Sequence, residues 1–217
     1  VITVPLAVTL LVLAGEIVGF LFTLETYRPS VPILRVHALS LAMVFVDYYL
    51  VGILMAMGRE RVWLAIVGAA CLVNLALNWV LIPATDGWYA NGGIGAAAAT
   101  LVTEVFILAW ALHAIPAGTF GRASVRVAAR ALAVGAALAT ALGAGRALGA
   151  PWMLVAALGG AGYLMAVVRL GILPRDVSGW ARGLIRGRPA VAVPRLAELN
   201  GAPRPRLEPV SRKVEAA

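Results

Sequence analysis

Apolar residues occur along this chain in runs of about twenty, the length a helix needs to cross the hydrocarbon core of a bilayer, and short stretches holding arginine, glutamate, proline or glycine separate them. Six such runs predict six transmembrane helices, at 2–22, 32–57, 62–83, 94–115, 124–147 and 152–173, and so an all-α, polytopic membrane domain over 1–174. Two prolines and Arg28 mark the first connection, and Gly58-Arg59-Glu60-Arg61 makes a short basic turn. The third helix is expected to stop at Ile82-Pro83, where the proline ring denies the backbone a donor. A loop over 116–124 then leads into Arg122, Arg126 and Arg130, while 143–151 holds Arg146 alone. After Pro174, residues 175–187 alternate apolar and basic positions, as a short amphipathic helix on an anionic inner leaflet would. Residues 188–217, rich in Pro, Arg and Ala, have little to bury and are expected to form a disordered cytoplasmic tail.

Composition excludes an ordinary soluble domain. The chain is 62% hydrophobic and 13% charged with a mean hydropathy of +0.92, whereas soluble domains are about half apolar and about a quarter charged. The net charge of +8 does not indicate nucleic acid as a partner, because half of the eighteen basic residues follow the last apolar run and the rest gather at helix ends. That distribution belongs to topology. Arg59, Arg61, Arg122, Arg126, Arg130, Arg169 and Arg175 fall on one side and Arg28, Arg35 and Arg146 on the other, which puts the first group and the tail in the cytoplasm of a cytoplasmic (inner) membrane protein. Trp88 and Tyr89 suit the opposite interface. The chain begins at Val1 within an apolar run, with no basic n-region, so it is expected to be a piece of a longer protein and not to start with a signal peptide. Cys71 reads as a small buried hydrophobe.

Charged side chains near the membrane midplane are expensive and need a reason. Asp47 and Glu104 fall near the middles of the second and fourth predicted helices. Either they face a water-filled cavity and bind a cation, a proton or sugar hydroxyls, or a protonated carboxyl makes an interhelical hydrogen bond. Glu16 and Arg35 are placed to pair between neighbouring helices, with Arg35 alternatively snorkelling to headgroups. Asn74 and Asn78, one turn apart on one face, are expected to bond across to a neighbouring helix. His37 and His113 read as interfacial polar residues. Gly92, Gly93 and Gly95, followed by a run of alanines, give a small-residue face on which two backbones approach closely. The glycines at 93–95 match a dinucleotide pattern loosely but follow no strand. With no His and Cys cluster of ligand spacing and no nucleophile elbow, neither a metal, a cofactor nor an enzymatic activity is expected.

The pattern N-L-x-L-N-x-x-L-I-P, a short loop, then G-I-G-A-A-x-A-T-x-x-x-E, as Asn74 to Pro83 and Gly93 to Glu104 present it, resembles the polysaccharide-transport flippases of the multidrug/oligosaccharidyl-lipid/polysaccharide exporter superfamily. The basic turn after Met55 to Arg59 and the segment Tyr27 to Leu34 are similar to theirs as well. The likeness runs from about Val4 to Arg186 and is carried mainly by the first four helices. The resemblance implies two lobes totalling twelve to fourteen helices, with these six as the last ones, and alternating-access transfer of an undecaprenyl-pyrophosphate-linked glycan between leaflets. A missing N-terminal lobe, or a partner membrane chain in its place, would then complete the cavity, with membrane lipids around both. Other readings are a cation-coupled drug exporter of the same superfamily and a half-transporter acting as an interaction subunit. A membrane glycosyltransferase or ligase would need a large outer loop, and every outer loop is short.

Overall fold

Residues 3–172 are described by a computed structural model, and among them every regular element is an α-helix. In chain order these are α1 (Thr3–Val12), α2 (Ala14–Leu21), α3 (Leu24–Tyr27), α4 (Ser30–Ala56), α5 (Glu60–Tyr89), α6 (Gly92–Ala114), α7 (Arg122–Ala147) and α8 (Trp152–Arg169). From α4 onward each is individually long and apolar enough to span a membrane, and α1 with α2 makes a sixth span if the bent pair is taken as one. The protein is therefore an all-α, multi-pass membrane protein. The expected short helix at 175–187 and the tail after it lie outside the described residues.

Two elements depart from the expected pattern. The first span is not one helix over 2–22: it breaks at Leu13, where α1 and α2 meet at 79°. No proline causes this. Leu13 is fully buried among Leu138, Leu142 and Val167 of the last two helices, and Arg146 donates to the Val12 carbonyl at 3.4 Å, placing a guanidinium where the next helical turn would run. A side chain entering the hydrogen-bond ladder is a recognised cause of a kink, and Gly15 just beyond weakens the helix further. The second departure is that α5 does not end at Pro83 but carries the proline inside it and runs on to Tyr89. The first turns of α6 pack against both sides of that proline. A methyl group built on Gly95 would overlap the Leu81 carbonyl and lie 2.6 Å from Thr85 Oγ1, and one on Gly92 would lie 3.1 Å from Ile82 Cγ2. Tertiary packing thus holds the helix together past the lost hydrogen bond. The hairpin turn is only Ala90 and Asn91, with Ala90 left-handed at φ 51°, and Asn91 Nδ2 donates to the Pro29 carbonyl at 2.8 Å, tying the turn to the start of α4.

The opposite end of α4 is closed by Gly58 at φ 66°. Arg59 N donates to Leu54 O at 2.9 Å and Gly58 N to Met55 O at 3.0 Å, the paired bonds of a Schellman cap that only a residue free to turn left-handed completes cheaply. The Arg59 guanidinium then reaches the Ala114 carbonyl at the end of α6, satisfying a terminal acceptor.

Packing follows two apolar clusters. Leu50, Leu54, Ile66, Ala111 and Ile115 join the ends of α4, α5 and α6. Leu13, Leu138, Leu142, Val155, Tyr163 and Val167 join α7 and α8 to the α1–α2 break. α1 touches both α4 and α7, so it links the two groups, whereas α5 is held mainly by α6. Much of the apolar surface of α5 faces outward, including Leu72 and Trp79. Cys71 belongs to that outward surface and is exposed, not buried as its residue type suggested.

Candidate functional site

The α4–α6 seam holds the chemistry. Asp47 on α4 is 5% exposed, and it shares a pocket of about 400 Å³ with Glu104 on α6. The remaining walls are Val44, Tyr48 and Val51 of α4, Trp63 of α5 and Ile107 of α6. A direct hydrogen bond between the two carboxyls would require a proton on one of them, since two carboxylates are acceptors only. As carboxylates they leave both Asp47 oxygens buried without a donor. Among the described residues Asp47 makes no ion pair, and the other charged side chain lining its pocket is Glu104.

A second pocket, of about 290 Å³, lies along the same seam towards the start of α4. Its walls include Leu10 of α1, His37, Ser40 and Val44 of α4, and Thr100 of α6. Ser40 Oγ donates to Val36 O at 3.5 Å and Thr100 Oγ1 to Ala96 O at 3.1 Å, so each hydroxyl spends its proton on its own helix and keeps lone pairs available. Val44 lines both pockets. A third depression, about 440 Å³ between α7 and α8, is walled by residues such as Leu138, Gly159 and Tyr163 and carries no charged side chain, so it offers packing and little else.

The amides take a different role. Asn74 Nδ2 donates to Thr103 Oγ1 at 3.0 Å, and Thr103 Oγ1 in turn donates to Ala99 O at 2.8 Å. Asn78 does not reach α6 but donates back to Asn74 Oδ1 and O, each at 2.9 Å. The expected cross-helix bond therefore belongs to Asn74 alone, with Asn78 orienting it. Gly92, Gly93 and Gly95 form the close face of the hairpin, as described, and Pro83 sits within the helix they pack on.

Glu16 and Arg35 are not partners. Glu16 forms an ion pair with Arg146 at the far end of α7, while Arg35 is exposed and makes no ion pair among the described residues, as a snorkelling arginine would. The reason is the break at Leu13: it turns α2 and brings Glu16 to Arg146, which also holds the Val12 carbonyl. His113 is exposed near the end of α6. The sequence marked Arg146 for topology alone and gave no site role to Thr103, Ser40, Thr100 or Val44. Only Thr100 and Thr103 carried a signal, as hydroxyls four and one residues before Glu104 in an otherwise apolar run.

Among the described residues no three His, Cys, Asp or Glu side chains gather as a metal site would require. No family model, no curated protein and no solved structure matches this chain.

Proposed function

We propose that this chain forms part of an alternating-access transporter of the cytoplasmic membrane and that its cargo is a lipid-linked oligosaccharide. The observation that carries the transport reading is Asp47, an ionisable group buried among membrane helices, without a donor, opening on a pocket it shares with a second carboxyl. Ionisable residues in such settings mark the paths of ions and substrates. The choice of cargo rests on the resemblance of the Asn74 to Glu104 hairpin. The arginine asymmetry across the connections supports a cytoplasmic C-terminus.

A pocket of about 400 Å³ lined by two acids is too small for an oligosaccharide and repels a pyrophosphate. Asp47 and Glu104 therefore serve coupling, and the cargo is bound by a larger cavity completed by other helices. This favours, as a second reading, a cation-coupled exporter of the same superfamily with a different cargo.

The test is deletion of the coding region in its own cell, with lipid-linked glycan measured in each leaflet and glycan at the surface. The flippase reading expects the precursor to accumulate on the inner leaflet and the wild-type gene to restore export, while a gene carrying Asp47→Asn with Glu104→Gln leaves export at the level of the deletion strain. Unchanged glycan with altered drug efflux would replace it with the exporter reading.

A further inference from the structure

We infer that Asp47 and Glu104 form a one-proton site, loaded along the α4–α6 seam from the end of α4 that bears His37. The inference rests on the transporter reading for what the proton is used for, but not for whether the proton is there.

The ligand follows from what surrounds the carboxyls. Two like charges facing one another in an apolar seam cannot both persist, and sharing one proton removes one charge while supplying the missing donor. The proton bonded to one carboxyl oxygen is donated to an oxygen of the other, so the pair changes from two negative charges to one on loading. A hard metal cation competes poorly: it takes about six or more oxygen ligands, whereas Val44, Val51, Ile107 and Trp63 offer the pocket no side-chain oxygen and leave the two carboxyls and the Tyr48 hydroxyl. α1 carries no charged residue and α2 carries Glu16, paired to Arg146; α4 carries Arg35 and His37 towards its start, α5 carries Glu60 and Arg61 in its first turn and Asp86 near its end, and α6 carries His113 near its end, while the charged groups lining the pocket are Asp47 and Glu104.

The route follows from spacing. His37, Ser40, Val44 and Asp47 recur at three to four residues on α4 and so share one face, opposite Thr100 and Glu104, one turn apart on α6. His37 is exposed, about 15 Å along the helix from Asp47 at the usual rise per residue. Between them lie the free lone pairs of Ser40 and Thr100, which can order water, and then Val44, the wall common to both pockets. Val44, as the wall shared by the two pockets, is the side chain whose size should set passage from the His37 end to the carboxyls.

The test is infrared difference spectroscopy of the full chain in lipid bilayers at neutral pH, reading the carbonyl stretch of protonated carboxylic acids and the time course of its shift on transfer to heavy water. One protonated carboxyl is expected, shifted in frequency by Asp47→Asn or Glu104→Gln alone and lost in the double variant. Its exchange into heavy water is expected to slow in Val44→Phe and quicken in Val44→Ala. A wild type with no protonated carboxyl, or a band that survives the double variant, overturns the site. Exchange rates indifferent to both Val44 variants overturn the route. None of these readouts depends on glycan export, so failure here and failure of the flippase reading are separable.

Discussion

Asn74 donates its side-chain amide to the hydroxyl of Thr103 across the α5–α6 interface at 3.0 Å, and Asn78 one turn later holds the amide in place by donating to its oxygen at 2.9 Å. In lipid, where apolar surface gives helices no drive to associate, such a bond and close backbone packing are what remain to join them. Replacing Asn74 and Thr103 by alanine, singly and together, is expected to give a coupling energy of about 0.6 kcal/mol and at most roughly 1.7 kcal/mol. Reversible unfolding in mixed micelles measures it, and a coupling of zero would mean the bond does not tie the hairpin.

Two glycines of the hairpin should behave oppositely. Gly95→Val forces a side chain onto the Leu81 backbone and should destabilise by roughly 1–3 kcal/mol or separate the helices. Gly68, in the same hairpin, has open space where its Cβ would be, so Gly68→Ala should stabilise by about 0.5–1 kcal/mol through helix propensity. The same unfolding measurement compares them, and equal effects would refute the close approach at Gly95.

Removing Arg146 should harm the protein more than removing the whole pair. Arg146→Gln leaves Glu16 without its cation, beside an oxygen that already lacks a donor, and releases the Val12 carbonyl. Because the side chains are 43% and 20% exposed, the expected loss is about 1–2 kcal/mol, below the figure for a fully buried pair. Adding Glu16→Gln to that variant should recover part of it. A double variant less stable than Arg146→Gln alone would contradict this account.

Ala90 occupies a left-handed conformation that disfavours any residue with a Cβ. Ala90→Gly is therefore expected to stabilise the α5–α6 turn by about 1 kcal/mol, read as a higher midpoint in thermal unfolding of the protein in detergent. A lower midpoint would show that the turn relaxes once the strain is gone.

The spans were legible because hydropathy alone marks a helix that must cross lipid, and the hairpin was legible because amide spacing and small residues act locally. Pro83 was misleading for a physical reason: its local cost is real, but contacts from Gly92 and Gly95, next along the chain, outweigh it. The break at Leu13 had no local mark, since Val12-Leu13-Ala14 reads as unbroken helix and the residue that enters the ladder, Arg146, comes 134 positions later than Val12. The same distance hid the partner of Glu16. Asp47 and Glu104 could be singled out one by one from the expense of charge in lipid, but their meeting in one pocket depends on α4 and α6 packing directly together, which depth along separate helices does not determine.

The outward position of Cys71 gives the protein a built-in reporter. As the chain's one thiol, exposed on a helix gripped mainly from one side, it takes a maleimide spin label without any engineered cysteine. A label there that tumbles freely and is relaxed by oxygen would show α5 bordering acyl chains. An immobilised one would show that a further polypeptide lies along it, which is what a second lobe would do.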